Sequence, residues 1–250
     1  MNDPGELATA IAALDRPLLI TFDCDGVLAP LTDHADDSVL TAGVGDDLAR
    51  LATCPDTIVA ILSGRSLDGL SQFDFDDAIH VSGSYGAEQR GGAPAALTRE
   101  ESNRLRVLDE LLNAAARRAG DGAWIERKPT SVVVHVREAD PRRGRAALDW
   151  AFHEQLELRG HVCHRGDNVL ELMTRSADKG TGLDALRREF EPAATVYVGD
   201  DVPDEDAFAR LGDGDIGIKV GQSPSIATRR ITDPDHVRTM IAELVEAIAP

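Results

Sequence analysis

The stretch Leu18-Leu19-Ile20-Thr21-Phe22-Asp23-Cys24-Asp25-Gly26 decides the fold. Its first five residues are β-favouring and mostly apolar with no polar face, which reads as a strand buried on both sides, the setting of a central strand in a parallel sheet. The run ends in two carboxylates two residues apart and a glycine that permits a sharp turn beside a ligand. Ligands of open α/β sheets bind at the carboxyl ends of strands, so chemistry is expected here. One carboxylate can attack phosphorus while a second carboxyl protonates the leaving oxygen and later activates water. An isolated Asp-x-Asp-Gly is equally an acidic turn after a strand, so the reading depends on the rest of the chain.

Working outward, apolar runs recur at Ile58 to Leu62, Ile79 to Val81 and Thr195 to Val198, each beside turn or capping residues. Helical patterns lie between them, such as Val237, Met240, Ile241, Leu244, Val245 and Ile248 behind the cap Asp233 and Pro234. The alternation predicts an α/β fold, a mostly parallel sheet with helices on both faces. The middle of the chain differs. A helix is expected from Arg99 to Ala119 behind a Thr98-x-x-Glu101 capping box, followed by strands at Trp124 to Lys128 and Val132 to Arg137. A second helix from Asp140-Pro141 to about Leu158 and strands at His161 to Cys163 and Asn168 to Leu172 complete an α-β-β-α-β-β unit. With seams at Gly91 to Ala96 and Thr174 to Ser176, the core is expected over residues 1–94 and 174–250 and an inserted α+β domain over 95–173.

Composition narrows the partners. With 44 Asp and Glu against 26 Lys and Arg, the net charge of -18 repels nucleic acid and anionic membrane surfaces. No apolar run approaches membrane-spanning length, and Met1 to Arg16 carries Asp3, Glu6 and Asp15 without a basic start, so a cytoplasmic protein is expected. The three cysteines lack a Cys-x-x-Cys pair, which fits a reducing compartment. His161, Cys163 and His164 point to different faces of a short strand and make a poor metal site. A monomer or weak oligomer acting on a small molecule is expected.

Three more motifs follow apolar strands or open helices. Ser63-Gly64-Arg65 offers a hydroxyl, backbone N–H groups and a guanidinium to phosphate oxygens. Asp178-Lys179-Gly180 places an ammonium beside the amides of a helix N-terminus, a setting that favours an anion. Gly199-Asp200-Asp201-Val202-Pro203-Asp204-Glu205-Asp206 supplies hard oxygen ligands, so that one or two of its carboxylates together with Asp23 suffice for magnesium. Each motif alone has an ordinary structural reading; their order along one predicted sheet is what points to a phosphoryl-transfer site.

These four elements resemble the haloacid dehalogenase superfamily. More narrowly, Leu62-Ser63-Gly64-Arg65, Gly83-Ser84-Tyr85-Gly86-Ala87-Glu88, Ala177-Asp178-Lys179-Gly180 and Gly199 to Phe208 fall in the order of its trehalose-6-phosphate phosphatase family. The resemblance implies a Rossmann-like core with an inserted cap, Asp23 as nucleophile, Asp25 as general acid and base, and Ser63 and Lys179 on the phosphate. It implies Mg2+ held among Asp23, Asp25, Asp200 and Asp204, with Asp201 an alternative to Asp204. It implies sugar contacts from Glu126, Lys128, Arg137 and Glu171 in the cap and a substrate contact from Arg65 in the core; for His135, which lies in one of the same segments, support of the cap sheet is the preferred reading. Glu88 either meets ligand or braces its loop. The chain departs from the family pattern at Cys24, Val27, Tyr85 and Met173-Thr174-Arg175.

The expected reaction is hydrolysis of trehalose 6-phosphate through an aspartyl phosphate. Two other readings stand beside it. One is a phosphatase for another glycosyl phosphate, such as a pseudodisaccharide phosphate or a glucosyl- or mannosyl-phosphoglycerate, whose carboxylate would call for an extra cap cation from Arg127, Arg142 or Arg143. The other is a non-catalytic sugar-phosphate-binding regulator.

Overall fold

An opening helix, α1 (Pro4–Ala12), leads into β1 (Leu18–Phe22), the strand expected at that place. There follow α2 (Val44–Ala52), β2 (Thr57–Leu62), the single turn α3 (Leu67–Leu70), β3 (His80–Gly83) and the short β4 (Glu88–Gln89). The middle of the chain forms α4 (Arg99–Ala119), β5 (Trp124–Arg127), β6 (Ser131–His135), α5 (Pro141–Glu154), β7 (Val162–Gly166) and β8 (Val169–Met173). The last stretch forms α6 (Lys179–Phe190), β9 (Ala194–Gly199), α7 (Val202–Phe208), β10 (Ile216–Val220), β11 (Arg229–Ile231) and α8 (Pro234–Ile248). This computed structural model describes residues 1–32, 35–92, 97–175 and 177–249. The chain divides into two units, Met1–Gly92 with Asp178–Pro250, and Ala93–Ala177. The expected seams fall partly on positions 93–96 and 176, outside the described residues.

The first unit is built on a seven-stranded sheet ordered β11-β10-β9-β1-β2-β3-β4, parallel except where β4 runs against β3. Strand alternation sorts its residues. Leu18, Ile20 and Phe22 face a core shared with Leu7 and Ile11 of α1, Leu48 of α2, and Met240, Ile241 and Leu244 of α8. Leu19 points to the other side, where Ala60, Leu62 and Tyr197 pack with Leu183 and Leu186 of α6 and Phe208 of α7. Helices therefore cover both faces, which is why β1 reads as an uninterrupted apolar run. Full burial of a leucine such as Leu244 contributes about 1.5–3 kcal/mol. Asp233 caps α8 through His236 N–H, as expected. Because β1 has β2 on one side and β9 on the other, the crevice at its carboxyl end is the switch point of the sheet.

The second unit is an antiparallel sheet ordered β5-β6-β8-β7 with α4 and α5 on one face. Val132, Val134, Leu170 and Leu172 point to those helices, together with Leu108, Leu112 and Ala115 of α4 and Leu148 of α5. The Thr98 and Glu101 capping box forms as expected. Several boundaries differ by a few residues, and the one that bears on a candidate site residue is that β6 ends at His135, with Arg137 exposed in the turn beyond it. Ala139 N–H closes that turn on the Val136 carbonyl, so the ladder stops before Arg137.

Candidate active site

At the end of β1 the Asp23 N–H still donates to the Val198 carbonyl of β9 at 2.9 Å, so the ladder fixes this residue's backbone. The Cys24 N–H donates to Asp23 Oδ1 at 2.7 Å, leaving Oδ2 to meet Lys179 Nζ at 2.7 Å. Cys24 turns into the core, and burial pushes its thiol well above the ordinary range. Lys179 is the first residue of α6, behind Asp178, whose carboxylate accepts the Thr181 N–H at 2.7 Å. This helix can lie close because Gly182 has no side chain: a Cβ there would sit 2.8 Å from the Tyr85 carbonyl oxygen.

Lys179 is shared. Its Nζ also donates to Asp204 Oδ1 at 2.6 Å, and the Tyr197 hydroxyl donates to the same oxygen at 2.7 Å. Asp204 Oδ2 accepts the N–H groups of Asp200 and Asp201, each at 2.9 Å. Asp204 is fully buried, and burial alone would raise its pKa, but Lys179, the backbone N–H and Tyr197 hold it below the ordinary carboxylate range. For Lys179 burial opposes the charge, and the two carboxylates more than offset it, so the ammonium is held above its usual pKa. Asp23 is pushed up to about 8, first by burial and then by Asp204 and Asp200, despite Lys179. Asp200 is raised to about 7, by burial first and by Asp204 next.

Asp23, Asp200 and Asp204 each place one carboxylate oxygen within 4.8 Å of the others. Such hard oxygen donors suit a divalent cation. Among the described residues no donor reaches the Asp200 carboxylate, whereas both oxygens of Asp204 are occupied by Lys179, Tyr197 and two backbone amides. Asp200 thus keeps its acceptor capacity and Asp23 has one contact on each oxygen, while Asp204, with two on each, organises them. Asp201 is exposed and its carboxylate is not part of the cluster.

The structure brings Asp25 elsewhere. Arg65 Nε donates to Asp25 Oδ2 at 2.6 Å and Arg65 Nη2 to Oδ1 at 2.7 Å, while the Ser38 hydroxyl donates to Oδ1 at 3.2 Å. Ser63 is buried at the end of β2, and its Oγ accepts the Arg65 N–H at 3.2 Å. The 3₁₀ turn after β3 returns to the same place, because Tyr85 N–H donates to the Ser63 carbonyl at 2.9 Å. Glu88 accepts the Ser84 hydroxyl and, at 3.4 Å, the Leu67 N–H.

In the second unit the strand register puts Trp124, Glu126, Ser131, His135 and Glu171 on the sheet face away from α4 and α5. Lys128 Nζ lies 3.3 Å from Glu171 Oε1, which also accepts the Ser131 hydroxyl at 2.6 Å. Glu126 Oε2 is 3.0 Å from His135 Nε2, and the Trp124 indole, 49% exposed, stacks on that imidazole with centroids 3.9 Å apart. Arg137 follows the end of β6 and is exposed. Arg127 points the other way, 2.8 Å from Asp109 of α4, and Arg143 donates to the Arg118 carbonyl.

Comparisons with known proteins identify the family. The trehalose-phosphatase family model matches residues 21–235. The chain belongs to the trehalose-phosphatase family. It is 35% identical to a trehalose-phosphate phosphatase of Mycobacterium ulcerans (strain Agy99), over 98% of this chain and 67% of that one. It is 27% identical to the trehalose-6-phosphate phosphatase of Escherichia coli (strain K12), covering 91% and 86% of the two chains. Among solved structures, the C-terminal domain of C. albicans trehalose-6-phosphate phosphatase superposes with a TM-score of 0.80 over 98% of this chain and 97% of that one. At 20% identity this last likeness concerns the fold. The span matched to the trehalose-phosphatase family contains every site residue described above, including three that the sequence did not single out, Ser38, Tyr197 and Trp124, and a fourth, Lys219. Lys219 is buried on β10 and donates to the Asp201 carbonyl at 3.2 Å. A lysine inside an otherwise apolar strand was its only signal.

Proposed function

We propose that this chain hydrolyses trehalose 6-phosphate to trehalose and phosphate, with Mg2+ held by Asp23 and Asp200. The observation that carries the reading is the buried contact of Asp23 Oδ2 with Lys179 Nζ at the switch point of the sheet, with the Asp200 carboxylate alongside. A nucleophilic carboxylate, a fixed cation and a second carboxylate with free acceptor capacity are what an in-line phosphoryl transfer needs. Family membership supplies the reaction class, a phosphoric monoester hydrolysis, and the names of the relatives support the sugar.

In this mechanism Asp23 Oδ attacks phosphorus as the bond to the sugar oxygen breaks. The electron pair stays on that oxygen, which takes a proton from Asp25 and leaves as the free sugar. Water then attacks the aspartyl phosphate, giving its proton to Asp25 as the bond between phosphorus and Asp23 breaks. Lys179 and Ser63 meet the phosphoryl oxygens, Lys179 from a position fixed by Asp204. When bound, the magnesium ion neutralises charge on the transferring group. Residues 95–173 act as the cap that reads the sugar, through Glu126, Lys128 and Glu171.

A phosphate-release assay over a panel of sugar phosphates, with and without magnesium, tests the reading. Trehalose 6-phosphate is expected to turn over fastest and only with the metal, and Asp23→Asn to be inactive but folded. Faster turnover of a phosphoglycerate or monosaccharide phosphate replaces the substrate. Binding without release of phosphate leaves a regulator.

A further inference from the structure

Arg65 stands where a guanidinium is readily assigned to the substrate's phosphate, yet its fork is closed on a protein carboxylate. Both parallel contacts to Asp25, at 2.6 and 2.7 Å, have the bidentate geometry that fixes the plane of a carboxylate as well as its position. The Arg65 side chain is only 12% exposed, its guanidinium lies 5.2 Å over the Phe73 ring, and its backbone is tied to Ser63 Oγ. Asp25 is 32% exposed and has a third contact from Ser38. Thus the arginine is the anchored member of the pair and the carboxylate is the member open to a ligand.

We propose that Arg65 is a positioning residue: it and Ser38 aim the Asp25 carboxyl for proton transfer to and from the leaving oxygen, and Arg65 does not bind the transferring phosphoryl group. The inference rests on the phosphatase reading above and deepens it. Two features of the site support the division of labour. The phosphoryl oxygens already have Lys179, with its ammonium 2.7 Å from the attacking carboxylate, whereas the partly exposed Asp25 carboxyl needs a partner to hold one orientation. Moreover, Gly26 N–H donates to the Ala29 carbonyl at 2.7 Å, which ties down the backbone after Asp25 and leaves its side-chain torsions to be set by Arg65 and Ser38.

The two roles separate by leaving group. kcat/KM for this route reports the steps up to departure of the alcohol, so it is blind to the later hydrolysis of the aspartyl phosphate. A residue acting through Asp25 matters most when the departing oxygen needs a proton, as a sugar alkoxide does, and least for p-nitrophenolate, which leaves without one. The experiment measures kcat/KM for the wild type, Arg65→Ala, Arg65→Lys, Asp25→Asn and the Arg65→Ala/Asp25→Asn double variant. Substrates are aryl phosphates from p-nitrophenyl to phenyl, with trehalose 6-phosphate as the poorest leaving group, and circular dichroism checks the fold. Expected for Arg65→Ala is a loss of about 100-fold on trehalose 6-phosphate, shrinking to a few-fold on p-nitrophenyl phosphate. Lysine retains charge without the fork, so Arg65→Lys shows the same slope with a smaller loss, and decides the matter if the alanine variant does not fold. The double variant should be no worse than Asp25→Asn alone. Equal losses across the series, with KM raised, overturn the proposal and return Arg65 to the phosphate. Wild type inert toward trehalose 6-phosphate but active on the aryl series removes the sugar assignment only, and the aryl slope still decides the role of Arg65.

Discussion

Gly26 and Asp200 occupy each other's space: a Cβ built on Gly26 would lie 2.0 Å from Asp200 Oδ2. The glycine also has φ +74°, a conformation that costs an L-residue about 1–2 kcal/mol. The turn after the Asp23 strand is thus shaped so that a carboxylate from the β9 end can lie directly against bare backbone. Gly26→Ala is therefore expected to act on Asp200 as much as on the turn. It should lower kcat about 100-fold, the scale of a displacement near 1 Å, and weaken metal binding. Magnesium titration followed by thermal shift, alongside steady-state assays, checks this; unchanged metal affinity would leave Asp200 out of the metal site.

The pair Lys179 and Asp204 makes a second prediction, about stability. Asp204 is wholly buried and receives four hydrogen bonds, two of them from backbone amides that no other residue satisfies in the described structure. Asp204→Asn keeps the size but presents an NH2 group to donors and leaves the Lys179 charge half compensated. Loss of one partner of a buried ion pair costs about 3–5 kcal/mol. A urea or thermal melt of the metal-free protein is expected to show a destabilisation of that order. A variant as stable as the wild type would mean that Lys179 finds its counter-charge in Asp23 alone.

How much of this was legible in the sequence depended on how local the signal was. β1, β2 and β9 were readable because strands buried on both faces leave apolar runs, and the motifs sit directly at their ends. The capped helix α4 announced itself through Thr98 and Glu101. Arg65 and Asp25 are 40 positions apart, and a guanidinium suits a phosphate as well as a carboxylate, so no pattern in the sequence could choose between them. Tyr197 lies within an apolar run, and its hydroxyl acquires a purpose only when α7 carries Asp204 back over β9. Trp124 meets His135 only through the pairing register of β5 and β6, which depends on the whole hairpin. Arg137 follows the end of the β6 ladder, a boundary that its parity in the sequence did not reveal.

A third prediction concerns pH. Burial raises Asp23 to about 8 and Asp200 to about 7 from an ordinary 3.8. The folded, metal-free chain therefore binds protons that the unfolded chain has released, and stability from these two groups falls as pH rises from about 4 through 8. Asp204 is shifted the other way, so its contribution is lost only in acid, below that window. Magnesium competes with those protons, and its stabilisation is expected to be larger at about pH 8.5 than at about pH 6. Calorimetry at the two pH values, with and without the metal, measures the difference. An Asp200→Asn variant should flatten both trends, and an unaltered slope in it would assign them to other groups.

The fourth prediction asks whether the second unit reads sugar. Lys128 and Glu171 are both nearly buried, yet the ammonium is 3.3 Å from the carboxylate, longer than the 2.6 Å from Ser131 to the same oxygen. Glu171 of this pair lies on the sheet face away from α4 and α5. Nearby, Glu126 and the exposed face of Trp124 add an acceptor and an aromatic surface, the combination that suits the hydroxyls and C–H faces of a pyranose. Hydrogen bonds to charged groups contribute about 1.5–3 kcal/mol. Lys128→Ala and Glu171→Gln are therefore expected to reduce kcat/KM for trehalose 6-phosphate by about 10–100-fold, mainly through KM. Hydrolysis of p-nitrophenyl phosphate, which has no sugar to lose, should be unaffected. Trp124→Ala should act in the same direction more weakly. If the pair merely braces the sheet, the two substrates will suffer alike and the melting temperature will fall with them. Steady-state kinetics on both substrates, with a melt of each variant, separates a sugar-reading surface from a structural one.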